Sequence, residues 1–518
     1  MTARHAANST VCFALLLITA VLTFSRSAAA VPPFARRYQV ACNTCHTVPP
    51  QLNAFGEAFR MNGYQWPEEG DENGKIKDHP VILSADANRE AFPDAFLPSD
   101  IPHLPAVGFQ AKFTSLYNLP NPDGNVTFNG ASIGQPAPQG NPYNKYGQLD
   151  WSGINEAFNI FFAGRITKNV SLFGGVGFYS PAMNFAIERA MIYWSNVFGP
   201  NWFNIKIGRF DPDVSFFSGF RKLVNDNYSI MSRTIGQPSG WSLEPTVQQP
   251  GIEVNGKIAG RVRYNIAALT NYTGLPGSLG GNGAGIQNDS LDAYAHLSTK
   301  IGGLRLDGVQ PKEVDGIQKP WVDNALWLGV NGFRGQHDVD LNKAYGGFGP
   351  SGLVYDQRDI FYRIGADAKA TIGSLWVIGG VAYEHHVLSA VNGGFTPVLQ
   401  NNVDGKFIEV ETQYIVYPWF IPNITFDYYY GTNPYLVNSG WGVTGNGVGA
   451  ATSTTPLKPG QTPANISDYT IRPGLLFAPF MNWRSYIYAE VGQFPLKADF
   501  QSGTFRLASL IVGSQIDF

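Results

Sequence analysis

The chain reads as an all-β protein, a transmembrane outer-membrane β-barrel of about 16 antiparallel strands entered by a small, mainly helical N-terminal segment. Three observations predict this. Segments of about ten residues alternate apolar with polar side chains between Ala106 and Phe518, as strands do when one face meets lipid and the other a watery lumen. Charged residues make up only 14% of the chain and aromatics also 14%, where soluble domains carry roughly 25% charged residues. The connectors between alternating segments fall into short turns and long irregular loops, the asymmetry of a barrel with a periplasmic and an extracellular rim.

The elements follow in chain order. Residues 1–30 read as a secretory leader: Arg4 precedes the apolar run Val11 to Phe24, and Ala28 and Ala30 hold the −3 and −1 positions of a cleavage site. The run is shorter than the roughly 18 to 20 apolar residues of a spanning helix, so the mature chain is expected to begin at Val31. The leader removes Cys12 together with Arg4 and Arg26, making a formal net charge of −3 more negative by two. That balance argues against a nucleic-acid partner, which calls for a basic face.

Two cysteines remain, in "ACNTCHTVPP" (Ala41 to Pro50). The pattern Cys42-x-x-Cys45-His46 suits a redox disulfide, half a zinc site, or attachment of a c-type haem. Zinc wants four ligands, and no second cysteine pair follows. His385 and His386 are adjacent, and neighbours on a strand point to opposite faces. A thioredoxin-like pair needs a βαβ context that the chain lacks. Covalent haem is the reading that best uses all three residues: two thiols add to the vinyl groups and the next histidine binds iron from below. The disulfide stays the alternative. For the second axial position the candidates are Met61, on a helix expected around Leu52 to Asn62, and the histidines His79 ("KDHPV") and His103 ("IPHLP"). Met ligation would raise the reduction potential relative to bis-His.

The strands begin with "AVGFQAKFTSLY", where Val107, Phe109, Ala111 and Phe113 oppose Gln110, Lys112 and Thr114. "MNFAIERAMIYW" sets Glu188 beside Arg189, which puts one charge on the lipid face unless a bulge intervenes. The Gly-rich "SLFGGVGFYS" is suited to bending or to close packing from inside. "RVRYNIAA", "FIEVETQY" and "NITFDYYY" alternate cleanly and place Arg261, Arg263, Glu409 and Glu411 on the lumen side. "FGPNW" (Phe198 to Trp202) suits a short periplasmic turn, while the Gly-, Asn- and Pro-rich stretches after Asn121, Gly274 and Thr444 suit outer loops. The closing "LIVGSQIDF" has Leu510, Val512 and Ile516 on one face and ends on Phe518, a terminal aromatic that resembles the recognition signal of bacterial outer-membrane barrels. No repeat of 20 to 50 residues is visible.

The segment Val31 to Pro67, with "FAR" before the motif, the Cys42 to His46 turn, and "LNAFGEAFRMNGY" after it, resembles the haem module of the fused outer-membrane cytochrome–porins. The likeness covers about the first 37 mature residues, and the barrel matches that family in architecture and ending only. The family joins one c-type haem to a barrel, and its best-known members are iron(II) oxidases. The resemblance implies three parts: a leader (1–30), a monohaem cytochrome c segment plugging the lumen (31–101), and a porin-like barrel (102–518). It implies haem c on Cys42 and Cys45 with His46 as proximal ligand. The expected partners are an extracellular donor such as Fe(II), a periplasmic c-type cytochrome or other soluble carrier, and the lipid bilayer. The expected activity is electron transfer across the bacterial outer membrane, which with Fe(II) as the donor is iron(II) oxidation. A solute porin with a structural or gating haem segment, and electron export to an outside acceptor, are the alternatives.

Overall fold

The computed structural model describes residues 34, 38, 40–67, 90, 106–118, 128–129, 132–133, 148–150, 157–167, 169–179, 184–199, 202–217, 229–232, 248–270, 286–287, 291–308, 319–340, 356–391, 401–432, 465–480, 483–495 and 502–517. The leader, His79, His103 and Phe518 lie outside these residues.

Among the described residues sixteen long antiparallel strands close into a barrel. The first half runs β1 (Ala106–Asn118), β2 (Ala157–Thr167), β3 (Val170–Tyr179), β4 (Asn184–Trp194), β5 (Asn204–Phe210), β6 (Gln249–Ile258), β7 (Val262–Leu269) and β8 (Asp292–Gly302). The second half runs β9 (Ala325–Asp340), β10 (Asp356–Ile372), β11 (Leu375–Val391), β12 (Asn401–Tyr414), β13 (Phe420–Thr432), β14 (Asn465–Phe480), β15 (Trp483–Pro495) and β16 (Ser502–Asp517). Each strand pairs with its sequence neighbour, and β16 closes on β1 through pairs from Ser509–Asn118 to Asp517–Gln110. Closure leaves no unpaired edge, which is the condition for strands to span hydrocarbon.

Side chains sort by parity as the alternation demands. On β1 Val107 and Phe113 face outward and Thr114 inward; on β7 Ile266 faces outward with Arg263 and Asn265 buried inside. On β12 and β13, Ile408, Ile424 and Phe426 point to lipid while Glu409, Glu411, Thr425 and Asp427 are buried in the interior. Leu510, Val512 and Ile516 share the outer face of β16, with the buried Ile511 and Gln515 between them.

A bulge does intervene at Glu188, so neither charge is left on the lipid face. Gly175 pairs with Arg189 and Val176 with Ile187, so Glu188 is the extra residue. The insertion lets both charges turn inward, where Arg189 binds Glu188 at 2.7 Å and Asp211 at 2.6 Å.

Connections define the two rims. Turns at 168–169, 259–261, 373–374, 415–419 and 481–482 lie at one end, together with 195–203 and the longer 303–324. The strand ends that precede and follow 119–156, 211–248, 270–291 and 433–464 lie at the other. The short-turn end is therefore periplasmic. It carries an aromatic girdle of Trp194, Phe198, Trp202, Tyr414, Tyr417, Trp419 and Trp483, with Tyr417 and Trp419 stacked 5.1 Å apart. A closed barrel with an apolar exterior and such a girdle is a bacterial outer-membrane protein.

Arg261 departs from expectation. The strand begins at Val262, and Gly260 turns the chain with a φ of 64°. Arg261 therefore sits in the β6–β7 turn, donating to the carbonyls of Gly302 (2.5 Å) and Gly303 (3.0 Å) instead of lining the lumen.

Candidate functional site

The motif folds as a single tight turn. Cys42–Thr44 forms one 3-10 turn, the Cys45 N–H donates to the Cys42 carbonyl at 3.2 Å, and His46 opens a short strand, His46–Val48, paired with Gln51–Leu52. Both cysteines are half-buried, flanked by exposed Ala41 and Asn43. Burial, reinforced by Cys42, pushes the Cys45 thiol up to about 12.

A helix clasps this turn. α1 (Ala54–Met61) starts at Asn53, whose side chain accepts from the Gly56 N–H at 2.9 Å. The same amide donates to the carbonyls of Asn43 (2.9 Å) and Thr44 (3.1 Å), and the Asn53 N–H donates to the Cys45 carbonyl at 3.0 Å. Asn53 is thus the helix cap and the strap over the motif. Gly56 permits the approach: a Cβ there would lie 2.0 Å from the Cys45 carbonyl oxygen. The helix ends in a Schellman pair, Gly63 N–H to Arg60 C=O and Tyr64 N–H to Phe59 C=O, with Gly63 at a φ of 67°. Around it Tyr38, Phe55, Phe59 and Trp66 form an aromatic wall, Phe55 and Trp66 being 4.9 Å apart and Tyr38 and Phe59 5.6 Å.

The clasped unit is fastened at the periplasmic end of the lumen. Gln51 donates to Gln413 on β12 at 2.8 Å, and Val48 is fully buried in a cluster with Trp376, Ile415 and Leu476. On the opposite side Ser171 of β3 donates to the Gly63 carbonyl at 2.6 Å, Tyr193 of β4 to the Met61 carbonyl at 3.0 Å, and Tyr64 stacks on Phe173 at 4.8 Å.

A second body enters the lumen from the outer loop between β5 and β6. Its described parts, 211–217 and the one-turn helix α2 (Ser229–Ser232), cross to the far wall. There the Phe216 N–H donates to Asp367 and the Ile230 N–H to Glu409, each at 2.7 Å, and Arg363 donates to the Ile230 carbonyl. Asp213 joins the two bodies: Arg60 of α1 grips it at 3.1 Å, Arg263 at 3.0 Å and Lys206 at 3.4 Å. Burial alone would lower the Arg60 pKa; Asp213 and Glu57 outweigh it and hold the guanidinium charged.

The expected residues are distributed as follows. Cys42, Cys45 and His46 share one turn, and their chemistry fits haem c: two thiols and an imidazole in sequence, a carbonyl cradle that only glycine permits, and an adjacent aromatic wall. Met61 lies five residues past Gly56, about 140° around the helix, and packs in the apolar cluster that includes Met191 and Phe210 of the wall. His79 and His103 lie outside the described residues. Arg263, Glu409 and Glu411 line the lumen, where the first two hold the inward loop. Among the described residues no cluster of three or more His, Cys, Asp or Glu is arranged for a metal ion. Asn53, Asp213 and Tyr193 were not foreseen. Asn53 had a readable signal, an Asx residue before an apolar helical pattern; the other two depend on contacts far apart in the chain.

No protein-family profile matches the chain, and neither does any curated protein. Among solved structures it is similar to in-vitro folded OmpT of Vibrio cholerae at 12% identity and a TM-score of 0.41, covering 80% of this chain and 97% of that one. It is similar to Salmonella typhi OmpF in complex with daunomycin (11%, TM-score 0.42, covering 80% and 97%) and to Pseudomonas putida OprB (10%, TM-score 0.40, covering 80% and 94%). The closed strand order and the apolar exterior identify the chain as a bacterial outer-membrane β-barrel whose lumen holds a helix and an inward loop.

Proposed function

We propose that the chain is an outer-membrane electron conduit working through one haem c bound covalently at Cys42 and Cys45, with His46 on the iron. The donor is extracellular Fe(II) or a similar reductant, and the acceptor a periplasmic c-type cytochrome or other soluble carrier. With Fe(II) as donor the protein is an iron(II)-oxidising oxidoreductase. The observation that carries this reading is the clasp of the Cys42 to His46 turn to a helix that is itself fastened inside the lumen. When bound, the haem supplies a one-electron carrier partway across an apolar belt ~25 Å tall, a depth that polypeptide alone does not bridge at useful rates. The chain's residues do the positioning. Asn53 and Gly56 hold the turn, Arg60 and Tyr193 hold the helix, and the buried Val48 cluster excludes water beneath the motif.

The porin-like scaffold by itself favours a second reading, a solute channel in which the N-terminal segment plugs or gates the pore. The charged lumen wall supports it: Arg472 pairs with Asp427 and Glu490, and Arg363 with Glu384. One preparation separates the two. The purified protein is placed in liposomes holding an electron acceptor and Fe(II) is added outside. A conduit reduces the trapped acceptor, its haem bands respond, and planar-bilayer current stays small. Absence of bound porphyrin, or a large ohmic current without acceptor reduction, rejects the conduit and leaves the channel.

A further inference from the structure

We infer that the outer face of β9–β13 carries a binding site for the phosphorylated headgroup of an outer-leaflet glycolipid. The site begins with an exception to the exterior pattern. Below it the outward side chains are apolar, including Val330, Leu328, Ile364, Val381, Ile408 and Ile424. Toward the long-loop rim the same face changes character in two adjacent cross-strand rows. The first row is Arg334, Tyr362, His385 and Asp404, each paired with the next across the sheet. The second runs from Tyr383 to Lys406 to Tyr430. Two cations and a histidine thus stand among three tyrosines on five neighbouring strands, outside the barrel.

Depth and charge identify the ligand. Asp404 lies about ten residues up β12 from Tyr414 of the periplasmic girdle, roughly 26 Å along the normal for a strand rising ~3.4 Å per residue at ~40° tilt. That is the height of the apolar belt, so the rows sit where the outer headgroups begin. The one carboxylate is already committed, accepting from His385 Nδ1 at 2.7 Å and from the Tyr383 hydroxyl at 2.5 Å. Tyr362 lies against the His385 ring at 5.2 Å and Lys406 over Tyr430 at 5.8 Å, which braces these long side chains. Among the described residues neither Arg334 nor Lys406 has a carboxylate within ion-pair distance, and Arg334 is exposed. Asp404 also attracts Lys406, so in these two rows one carboxylate faces both a lysine and an arginine, and the surplus positive charge at a lipid interface calls for an anion supplied by the membrane. An arginine fork beside a lysine, with tyrosine hydroxyls alongside, matches a sugar-linked phosphate.

Native mass spectrometry tests this on the full-length, solubilised protein incubated with bisphosphorylated lipid A and, separately, with dephosphorylated lipid A. The wild type should retain the phosphorylated lipid through washing. The double variant R334S/K406S should retain it about tenfold less per cation removed, and the dephosphorylated lipid should bind wild type no better than the variant. Because both positions are outward, heat-modifiable gel mobility should show the variant barrel folded; V330S serves as an exterior control with unchanged retention. If the variant is folded yet retains as much lipid A, the site is refuted. Equal retention of the dephosphorylated lipid, which marks ordinary annular lipid, refutes it too, as does a wild-type oligomer that the variant loses while lipid retention stays equal.

Discussion

Asn53 and Gly56 show how much one residue does when an element is only a few turns long. Asn53 makes four polar contacts that join the motif to the helix, so Asn53→Ala should cost about 1 to 3 kcal/mol, a lost cap plus two unsatisfied carbonyls. Limited proteolysis of the folded protein should then cut more rapidly within residues 40–52. Gly56→Ala introduces a Cβ that meets the Cys45 carbonyl, and the helix must move away from the turn. A loss of about 2 kcal/mol or more is expected, read as release of the segment in the same assay and, under the proposed haem reading, as a fall in covalently attached haem. Cys45 offers a chemical check in protein whose two thiols are unmodified. Burial raises its thiol to about 12 from 9.0, so the thiolate is scarce at pH 8 and alkylation should be on the order of a thousandfold slower than for an unperturbed thiol. The folded form disfavours the thiolate, so this group's contribution to stability is present below about 9 and lost as pH rises through about 12.

At the scale of elements, α1 is too short to be stable alone and takes its position from the barrel. Its fastening to the inward loop rests on Asp213, shared by Arg60, Arg263 and Lys206. Asp213→Asn leaves those cations with one carboxylate fewer, Lys206 keeping Glu253 at 2.9 Å. The change should loosen the helix from the loop by about 3 kcal/mol. In planar bilayers it should appear as larger, noisier current than wild type, with the folded barrel's gel mobility unchanged. The strands, by contrast, were legible element by element. Alternation assigned the lipid face of β1, β7, β12 and β13, because a period of two is imposed locally by the pleat. Even the Glu188 bulge was readable, since two adjacent charges cannot both face inward without it.

For the whole molecule, the barrel should outlast its contents. Its strands begin at Ala106 and every one is paired around the ring, so a variant lacking residues 31–67 should still fold and migrate as a heat-modifiable barrel. Its single-channel conductance should rise several-fold, because the described helix and its fastenings occupy the periplasmic end of the lumen. Unchanged conductance would mean that the inward loop alone limits the pore.

The local pattern of this sequence was enough to determine the barrel, its approximate strand number, the sidedness of its side chains and the single turn that brings Cys42, Cys45 and His46 together. Each follows from spacing along a few neighbouring residues. Only the tertiary structure decided that Arg261 belongs to a turn, that Met61 packs toward the wall, and that Asp213 joins α1 to a loop arriving from the opposite rim. These depend on contacts between residues up to hundreds of positions apart, and no periodicity encodes which lumen-facing charge will meet which.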